Sequence, residues 1–247
     1  DGPDHDVRVR FFTPTTEVPT CGHATVAAHF ARAVEHDLAP GSLVQKTGTG
    51  LLQRVDVRRA GDRIVIEMHQ GVAHVGSGLD RRQVDRLLAA LGTRRGDLAD
   101  AAPVQVVSTG HSKVMVELRS RGVVDRLQPD MAALTALSGK VGSNGFFVFT
   151  RSTGDPRLLT WSRMFAPAIG ISEDPVTGNG HGPLGAYLVR HGLVPAPDGT
   201  LTFTGRQGWA MGRPGDVNVT VRTRSDGEIE VSIAGTAAIA FRADLHV

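Results

Sequence analysis

Two short segments hold the residue types that could do chemistry: Gly22-His23, and Glu173-Asp-Pro-Val-Thr-Gly-Asn179. In each, a glycine stands where a helical pattern begins. A glycine at a helix start lets ligand and backbone come close, and the first helical turn presents unpaired N–H groups with a partial positive charge. Gly22 and Gly178 are therefore candidates to hold a carboxylate and to stabilise negative charge developing on a small molecule. Neither a metal nor an organic cofactor is needed for that. His23 suits proton transfer or substrate contact, or it caps its turn. Asp174 suits an amino or hydroxyl group of a substrate, or it complements the positive end of the second helix.

The two segments belong to an internal repeat over 10–33 and 163–192. Arg10-Phe-Phe-Thr-Pro14 matches Arg163-Met-Phe-Ala-Pro167, and after a short insertion Glu17-Val-Pro19 matches Glu173-Asp-Pro175. At the same offset Gly22-His23 falls on Gly178-Asn179. Two matches in order, each before a helix, point to duplicated halves that flank one small-molecule site. The halves are unequal, because Asp174 has no acidic counterpart at Val18.

The elements that must position these residues follow from periodicity. Residues 7–13 alternate as a strand and stop at Pro14. Residues 22–36 have helical spacing, with Ala24, Ala27, Ala28, Ala31 and Val34 predicted as the packing face of a helix wrapped by sheet. Strands are predicted at 42–46, 51–58 and 63–70, the last two joined by a turn at Arg59-Ala-Gly-Asp62. A helix follows at 80–91, with Val84, Leu87, Leu88 and Leu91 on one face. Strands at 104–109 and 113–118 are broken by Gly110-His111. A short helix at 131–137 and strands at 145–150 and 158–165 lead to the second main helix, 178–191, whose Tyr187 belongs to the core. Strands at 201–206, 216–224, 228–234 and 237–241 complete the chain. The organisation read from this is a first lobe at 1–103, a second at 104–235, and a C-terminal strand at 236–247 returning to the first. The chain opens on Asp1-Gly-Pro-Asp-His-Asp6 without Met and runs at once into a strand pattern, an opening that reads as a turn inside a larger protein.

Composition narrows the function. The 247 residues are 40% hydrophobic, enough for a substantial core. No apolar run reaches the length of a membrane span, and nothing at the start resembles a signal peptide. The formal charge is only +2, with arginines dispersed among acidic residues, so nucleic-acid binding is not indicated. The single cysteine, Cys21, fits a reducing cytoplasm and excludes a disulfide framework or a cysteine-based metal cluster. No His/Asp/Glu group has metal-ligand spacing. Thr177-Gly-Asn-Gly180 lacks both the lysine of a phosphate loop and a full dinucleotide fingerprint. His29 is read as structural, whereas His111 and His181 could line a cleft or serve the core.

Thr13-Pro-Thr-Thr-Glu-Val-Pro-Thr-Cys-Gly-His-Ala-Thr25 and Glu173-Asp-Pro-Val-Thr-Gly-Asn-Gly-His-Gly-Pro183 resemble the phenazine-biosynthesis PhzF-like family. Thr109-Gly-His-Ser-Lys-Val-Met115, Arg163-Met-Phe-Ala-Pro167 and Gly205-Arg-Gln-Gly-Trp-Ala-Met-Gly-Arg213 extend the likeness over essentially the whole chain. It is strongest to the bacterial, uncharacterised-isomerase branch. The resemblance implies an α+β fold of the diaminopimelate-epimerase kind: two pseudo-symmetric lobes, each a β-barrel-like sheet around a central helix, with the active site between them. It implies a homodimer, no cofactor, and isomerisation of a cyclic dihydro-hydroxyanthranilate by carboxylate acid/base chemistry. His23 matches the family's active-site histidine, Asp174 its aspartate and Gly178 the glycine opening the second helix. Asn179 stands where the phenazine enzyme has serine, and Gly110 lies where the family lines its cleft. Cys21 occupies the place of one thiol of related amino-acid epimerases; with no second cysteine a two-thiol racemase is excluded, and Cys21 is read as a small helix-entry residue.

The family's catalytic glutamate lies in a Ser-Glu-Thr segment that these 247 residues do not contain. The expectation is a cofactor-independent isomerase, with His23 and Asp174 catalytic and Gly22, Gly110, Gly178 and Asn179 binding substrate, whose principal acid/base lies upstream. The alternative is a catalytically inactive protein of the same fold that binds small anions or metabolites.

Overall fold

The structure is a computed structural model; it describes residues 2–12, 17–99 and 103–244. Contacts group the chain into two units, Asp1–His69 with Ala234–Val247, and Gln70–Ile233. This division lies elsewhere than 103/104 and 235/236. The chain passes from one unit to the other inside a single long strand, a continuity that turn signals in the sequence do not reveal.

In the first unit β1 (Val7–Val9), the short strands β2 (Phe11–Phe12) and β3 (Glu17–Val18), helix α1 (Gly22–Glu35), and strands β4 (Gly41–Thr47), β5 (Leu52–Ala60) and β6 (Arg63–Val72) follow in order. The β1 strand pairs parallel to β4, and β4, β5 and β6 form an antiparallel meander. Gly61, at a φ of 60°, makes the tight turn between β5 and β6. Val26 and Ala33 of α1 pack with Val55, Val57, Ile64 and Ile66. The predicted alanine face is thus not the buried one: Ala27 and Val34 are exposed and Ala24, Ala28 and Ala31 half-buried, whereas Thr25, Val26, His29 and Ala33 are buried. The polar members are tolerated because they are bonded to one another. His29 lies 2.8 Å from Gln45 Oε1, Gln45 Nε2 donates to Thr25 Oγ1 and to Gln53 Oε1, and Thr20 also donates to Gln53. A hydropathy pattern cannot see a buried polar chain of this kind.

In the second unit come β7 (His74–Gly78), α2 (Arg81–Ala90), β8 (Gln105–Ser108), β9 (Ser112–Glu117), α3 (Arg121–Asp125), α4 (Met131–Val141), β10 (Phe146–Thr150), β11 (Thr160–Ala166), β12 (Ile171–Asp174), α5 (Gly178–Arg190), β13 (Thr200–Gln207), β14 (Gly215–Thr223) and β15 (Ile229–Gly235). Its strands lie in the order β15-β14-β13-β11-β10-β9-β8-β7, with β12 added on β11. The central strands are buried on both faces. Phe146, Val148, Phe165 and Trp161 meet Leu87 of α2, the residue Leu91 just beyond its end, and Leu134 and Leu137 of α4. The alternate residues Phe147 and Phe149 set their rings edge-on to His181 and Tyr187 of α5. Helix α5 is buried from Gly180 to Leu188. Its glycines are close approaches: a Cβ at Gly180 would stand 2.3 Å from the Phe147 ring, and one at Gly185 2.6 Å from Val221.

The strand predicted at 237–241 does not form. Residues 236–244 carry no regular structure, and Phe241 is 82% exposed. Alternation alone makes no strand where no neighbouring edge supplies hydrogen bonds. The strands β7 and β12 and helix α3 were not foreseen, each being too short for a periodic signal. Thr13 and Pro14, the predicted end of the first strand, lie outside the described residues.

Candidate functional site

In the second unit the site is built around the end of β12. Asp174 pairs with Met164 of β11 and is half-buried. Three residues on, Thr177 is the N-cap of α5, yet its hydroxyl does not cap the helix. It donates instead to Asp174 Oδ2 at 2.5 Å. Gln207, only 1% exposed, clamps the turn from β13: its amide donates to Asp174 O and to Thr177 Oγ1, and its Oε1 accepts from the Thr177 N–H. Gly208 leaves room for the turn, since a Cβ there would lie 2.5 Å from Pro175 O. The Asp174 carboxylate is thus held through one oxygen, and among the described residues Oδ1 has no hydrogen-bond partner.

Gly178 and Asn179 open α5, and their N–H groups have no carbonyl of their own helix to bond. Those of Gly180 and His181 both bond Thr177 O. Asn179 Oδ1 accepts from Gln70 Nε2 at 2.9 Å, and Gln70 Oε1 accepts from Thr109 Oγ1. Asn179 is therefore oriented by a residue that the sequence reading did not single out. Gly110 sits at a φ of 108°, which explains the glycine, but its N–H is engaged by Ser108 Oγ.

His181 does not line a cleft. It is fully buried, Nδ1 donates to Thr177 O at 3.0 Å, and Nε2 lies 3.5 Å from Ser162 Oγ. Burial pushes its pKa down to about 4, so the ring is neutral at physiological pH. His29 is likewise buried, its pKa lowered by desolvation against the raising effect of Gln45. His111 lies at the β8–β9 turn with Nδ1 3.4 Å from Asn144 Nδ2. Beside it is a group the sequence reading passed over. Lys113 is 3% exposed, and Nζ donates to Asn144 Oδ1 at 2.9 Å and to Ser112 O at 3.2 Å. Desolvation pulls its pKa down to about 8, while the charge of Asp174 acts in the opposite sense.

In the first unit Cys21 is the N-cap of α1 and makes no side-chain cap bond. His23 is exposed in the first turn, with Nε2 3.5 Å from Cys21 Sγ. Gly22 is buried beneath it.

The repeat read in the sequence recurs in the pairing. In β2–β3, Phe11 stands opposite Val18; in β11–β12, the equivalent Met164 stands opposite the equivalent Asp174. Arg10 bonds Glu17 through Nε and NH2 at 3.2 and 2.8 Å, and Arg163 bonds Glu173 through the same atoms at 2.9 and 2.7 Å. Each helix entrance therefore follows an arginine–glutamate clasp across a two-strand ladder.

A sheet-dominated fold in which this hairpin-and-helix entrance occurs twice is the architecture of the diaminopimelate-epimerase class. The chain belongs to the phenazine biosynthesis-like protein family, whose sequence model matches residues 1–243. It is 46% identical over 241 residues to an uncharacterised isomerase of Clostridium acetobutylicum, covering 98% of this chain and 80% of that protein. The uncharacterised isomerase YddE of Escherichia coli is 45% identical with the same coverage. The trans-2,3-dihydro-3-hydroxyanthranilate isomerase of Pseudomonas aeruginosa is 31% identical, over 95% of this chain and 77% of that one. Among solved structures, a PhzF-family phenazine biosynthesis protein of Bacillus anthracis superposes with a TM-score of 0.85 at 25% identity, over 95% of this chain and 79% of that one. A hydroxyproline epimerase of Agrobacterium vitis shares the fold, with a TM-score of 0.60 at 12% identity over 93% and 67% of the two chains. The family is one of isomerases, and this chain is a member of that enzyme class. No helix among the described residues is long and apolar enough to cross a membrane.

Proposed function

We propose that this protein is a cofactor-independent isomerase that moves a proton on a small, carboxylate-bearing, cyclic metabolite. The observation that carries the reading is Asp174: a half-buried carboxylate whose one oxygen is fixed by Thr177 and whose other is unpaired, at the entrance of a buried helix. A carboxylate held in one rotamer can accept a substrate N–H or O–H, or take a proton from carbon, without first reorganising. The 31% identity to a dihydro-hydroxyanthranilate isomerase supports the substrate class.

In this reading the N–H groups at the start of α5 bond the substrate carboxylate and Asp174 positions the ring and relays protons; His23 and the N–H groups at the start of α1 are further candidates for the same roles. Gly110 shapes the loop beside the ligand, and Asn179 contributes a hydrogen bond. The proton that leaves one ring carbon is returned to another, so atoms balance without an oxidant, a metal or an organic cofactor. The resemblance assigns the principal acid/base to a glutamate in a Ser-Glu-Thr segment outside these 247 residues. A homodimer in the cytoplasm completes the proposal.

The test is isomerisation of dihydroaromatic carboxylates in deuterated water by the whole gene product, including any coding sequence in frame before Asp1. Deuterium entering, or the original proton being retained, at the new C–H position follows from the proposal. Absence of both isomerisation and exchange across dihydroaromatic and amino acids would overturn it.

A further inference from the structure

The strands of the second unit bring Lys113 onto the face of the sheet that carries Asp174. Met115, Phe147, Met164 and Asp174 are successive register partners across β9, β10, β11 and β12. Partners in register share a face, and so does a residue two positions along the same strand. Lys113 therefore points to the same side as Asp174, the side on which Phe147 meets α5. The lysine stem runs past Gly145, where a Cβ would stand 2.9 Å from Lys113 Cδ and 3.2 Å from the Met164 terminal methyl.

A buried ammonium ordinarily sits against a carboxylate. Among the described residues Lys113 has no carboxylate within the 4.0 Å of an ion pair, although the charge of Asp174 is felt at its nitrogen. Two of its three protons are used, by Ser112 O and Asn144 Oδ1. The ammonium also fixes the sense of its neighbours. Because it can only donate, the oxygen of the Asn144 amide faces it and the NH2 faces His111 Nδ1. His111 Nδ1 must then accept, which places the ring proton on Nε2. That Nε2 is buried and has no hydrogen-bond partner among the described residues. Among the described residues the cluster thus presents two donors, the third ammonium proton and the imidazole N–H, with no acceptor for either, and one positive charge without a paired anion. Buried donors left unbonded are costly, so their presence points to an acceptor that arrives from outside.

We propose that Lys113, with His111 and the bridging Asn144, is an oxyanion subsite for the substrate, receiving one oxygen of the carboxylate that the N–H groups at the start of α5 also bond, and thereby setting the ring against Asp174. The inference rests on the function proposed above for Asp174, but its ligand chemistry stands separately. An anion placed on the ammonium replaces the missing counter-charge, and the imidazole N–H supplies a second, neutral bond to the same group. Since the subsite also stabilises negative charge that grows on the ring as a proton leaves, its loss affects turnover as well as binding.

Binding of anthranilate and of its neutral analogue anthranilamide, measured by calorimetry at pH 7, tests the proposal with wild-type protein and the variants Lys113→Met, Lys113→Arg and Asn144→Leu. Thermal unfolding of each variant shows that it is folded. Lys113→Met is expected to weaken anthranilate by at least about tenfold and leave anthranilamide unchanged, with Lys113→Arg keeping much of the preference for the anion. As pH rises through the range in which Lys113 loses its proton, the wild-type preference for anthranilate fades; the charged group that acts on Lys113 in that range is Asp174 of β12, while His111 of the β8–β9 turn, its pKa lowered by burial and by Lys113, is neutral there. Anthranilate binding that is equal in folded wild-type and Lys113→Met protein, or a wild type that binds neither anthranilate nor sulfate saturably, overturns the subsite. Lys113-dependent anthranilate binding without proton exchange would remove the proposed isomerisation and keep the subsite. Exchange that survives in Lys113→Met with unchanged KM would do the reverse.

Discussion

Arg163 closes on Glu173 with two parallel hydrogen bonds of 2.9 and 2.7 Å, and its remaining nitrogen donates to Leu127 O at 2.8 Å. The pair ties β11 to β12 directly before Asp174, so the position of the carboxylate depends on it. Arg10 and Glu17 make the same clasp at the equivalent place in the first unit, but with the arginine side chain 55% exposed against 9% for Arg163.

This difference in burial sets the first prediction. Arg163→Met leaves Glu173 in a poorly solvated place and is expected to cost about 3–5 kcal/mol. Arg10→Met, in water, is expected to change stability far less. Urea unfolding of the two variants measures both, and equal costs would show that the clasps are not graded by burial.

Asp174→Asn keeps the hydrogen bond from Thr177 and removes the charge. It is expected to lower kcat for the proton transfer by about a hundredfold or more with little change in melting temperature. Thr177→Val leaves the charge and frees the rotamer, so a smaller loss, about tenfold, is expected. Deuterium exchange kinetics distinguish the two.

His181 is held neutral by burial, with a folded pKa of about 4 against 6.5 in the unfolded chain. The unfolded state binds the extra proton between those values, so stability falls as pH drops from about 6.5 to 4 and is unaffected by this group above 6.5. The full loss is about 3 kcal/mol. His29 and His111, also lowered, act in the same direction. His181→Gln, whose side chain does not titrate, should flatten the slope of stability against pH in that window, as followed by denaturation at several pH values.

Lys113 carries the opposite consequence in alkali. Its folded pKa is about 8 and its reference value 10.5, so the unfolded chain holds the proton longer and stability rises as pH climbs from about 8 to 10.5. Lys113→Met is therefore expected to be more stable than wild type at pH 7, by up to about 3 kcal/mol. The advantage should vanish toward pH 10.5. A gain that does not depend on pH would assign the effect to packing alone.

The candidate site residues could be named from the sequence because they are local in it. The glycines at the helix starts, His23, Asp174 and the repeated arginine and glutamate all lie within two short segments, and turn geometry ties together the members of each segment whatever surrounds them. The family motifs lie in the same segments. Less legible were the residues that hold these segments in place. Gln207, Gln70 and Thr177 act across gaps of thirty or more residues or through rotamers, and Gly205-Arg-Gln-Gly208 carried only the resemblance, not the clamp it turned out to contain. The buried face of α1 was misread because its packing residues include Thr25 and His29, which become compatible with burial only when Gln45 and Gln53 arrive to bond them.

By itself the sequence determined the two helices, most of the strands and the duplicated helix entrances, since each depends on neighbours a few residues away. Only the tertiary structure decided that His181 is a neutral core residue and that Lys113 shares a face with Asp174. Burial and desolvation are properties of everything packed around a group. Which strand lies beside which, and in what register, is settled by long-range hydrogen bonding that leaves no periodic trace in the chain. The lysine at position 113 gained its meaning from that register, in a segment where the sequence offered only a turn and a strand.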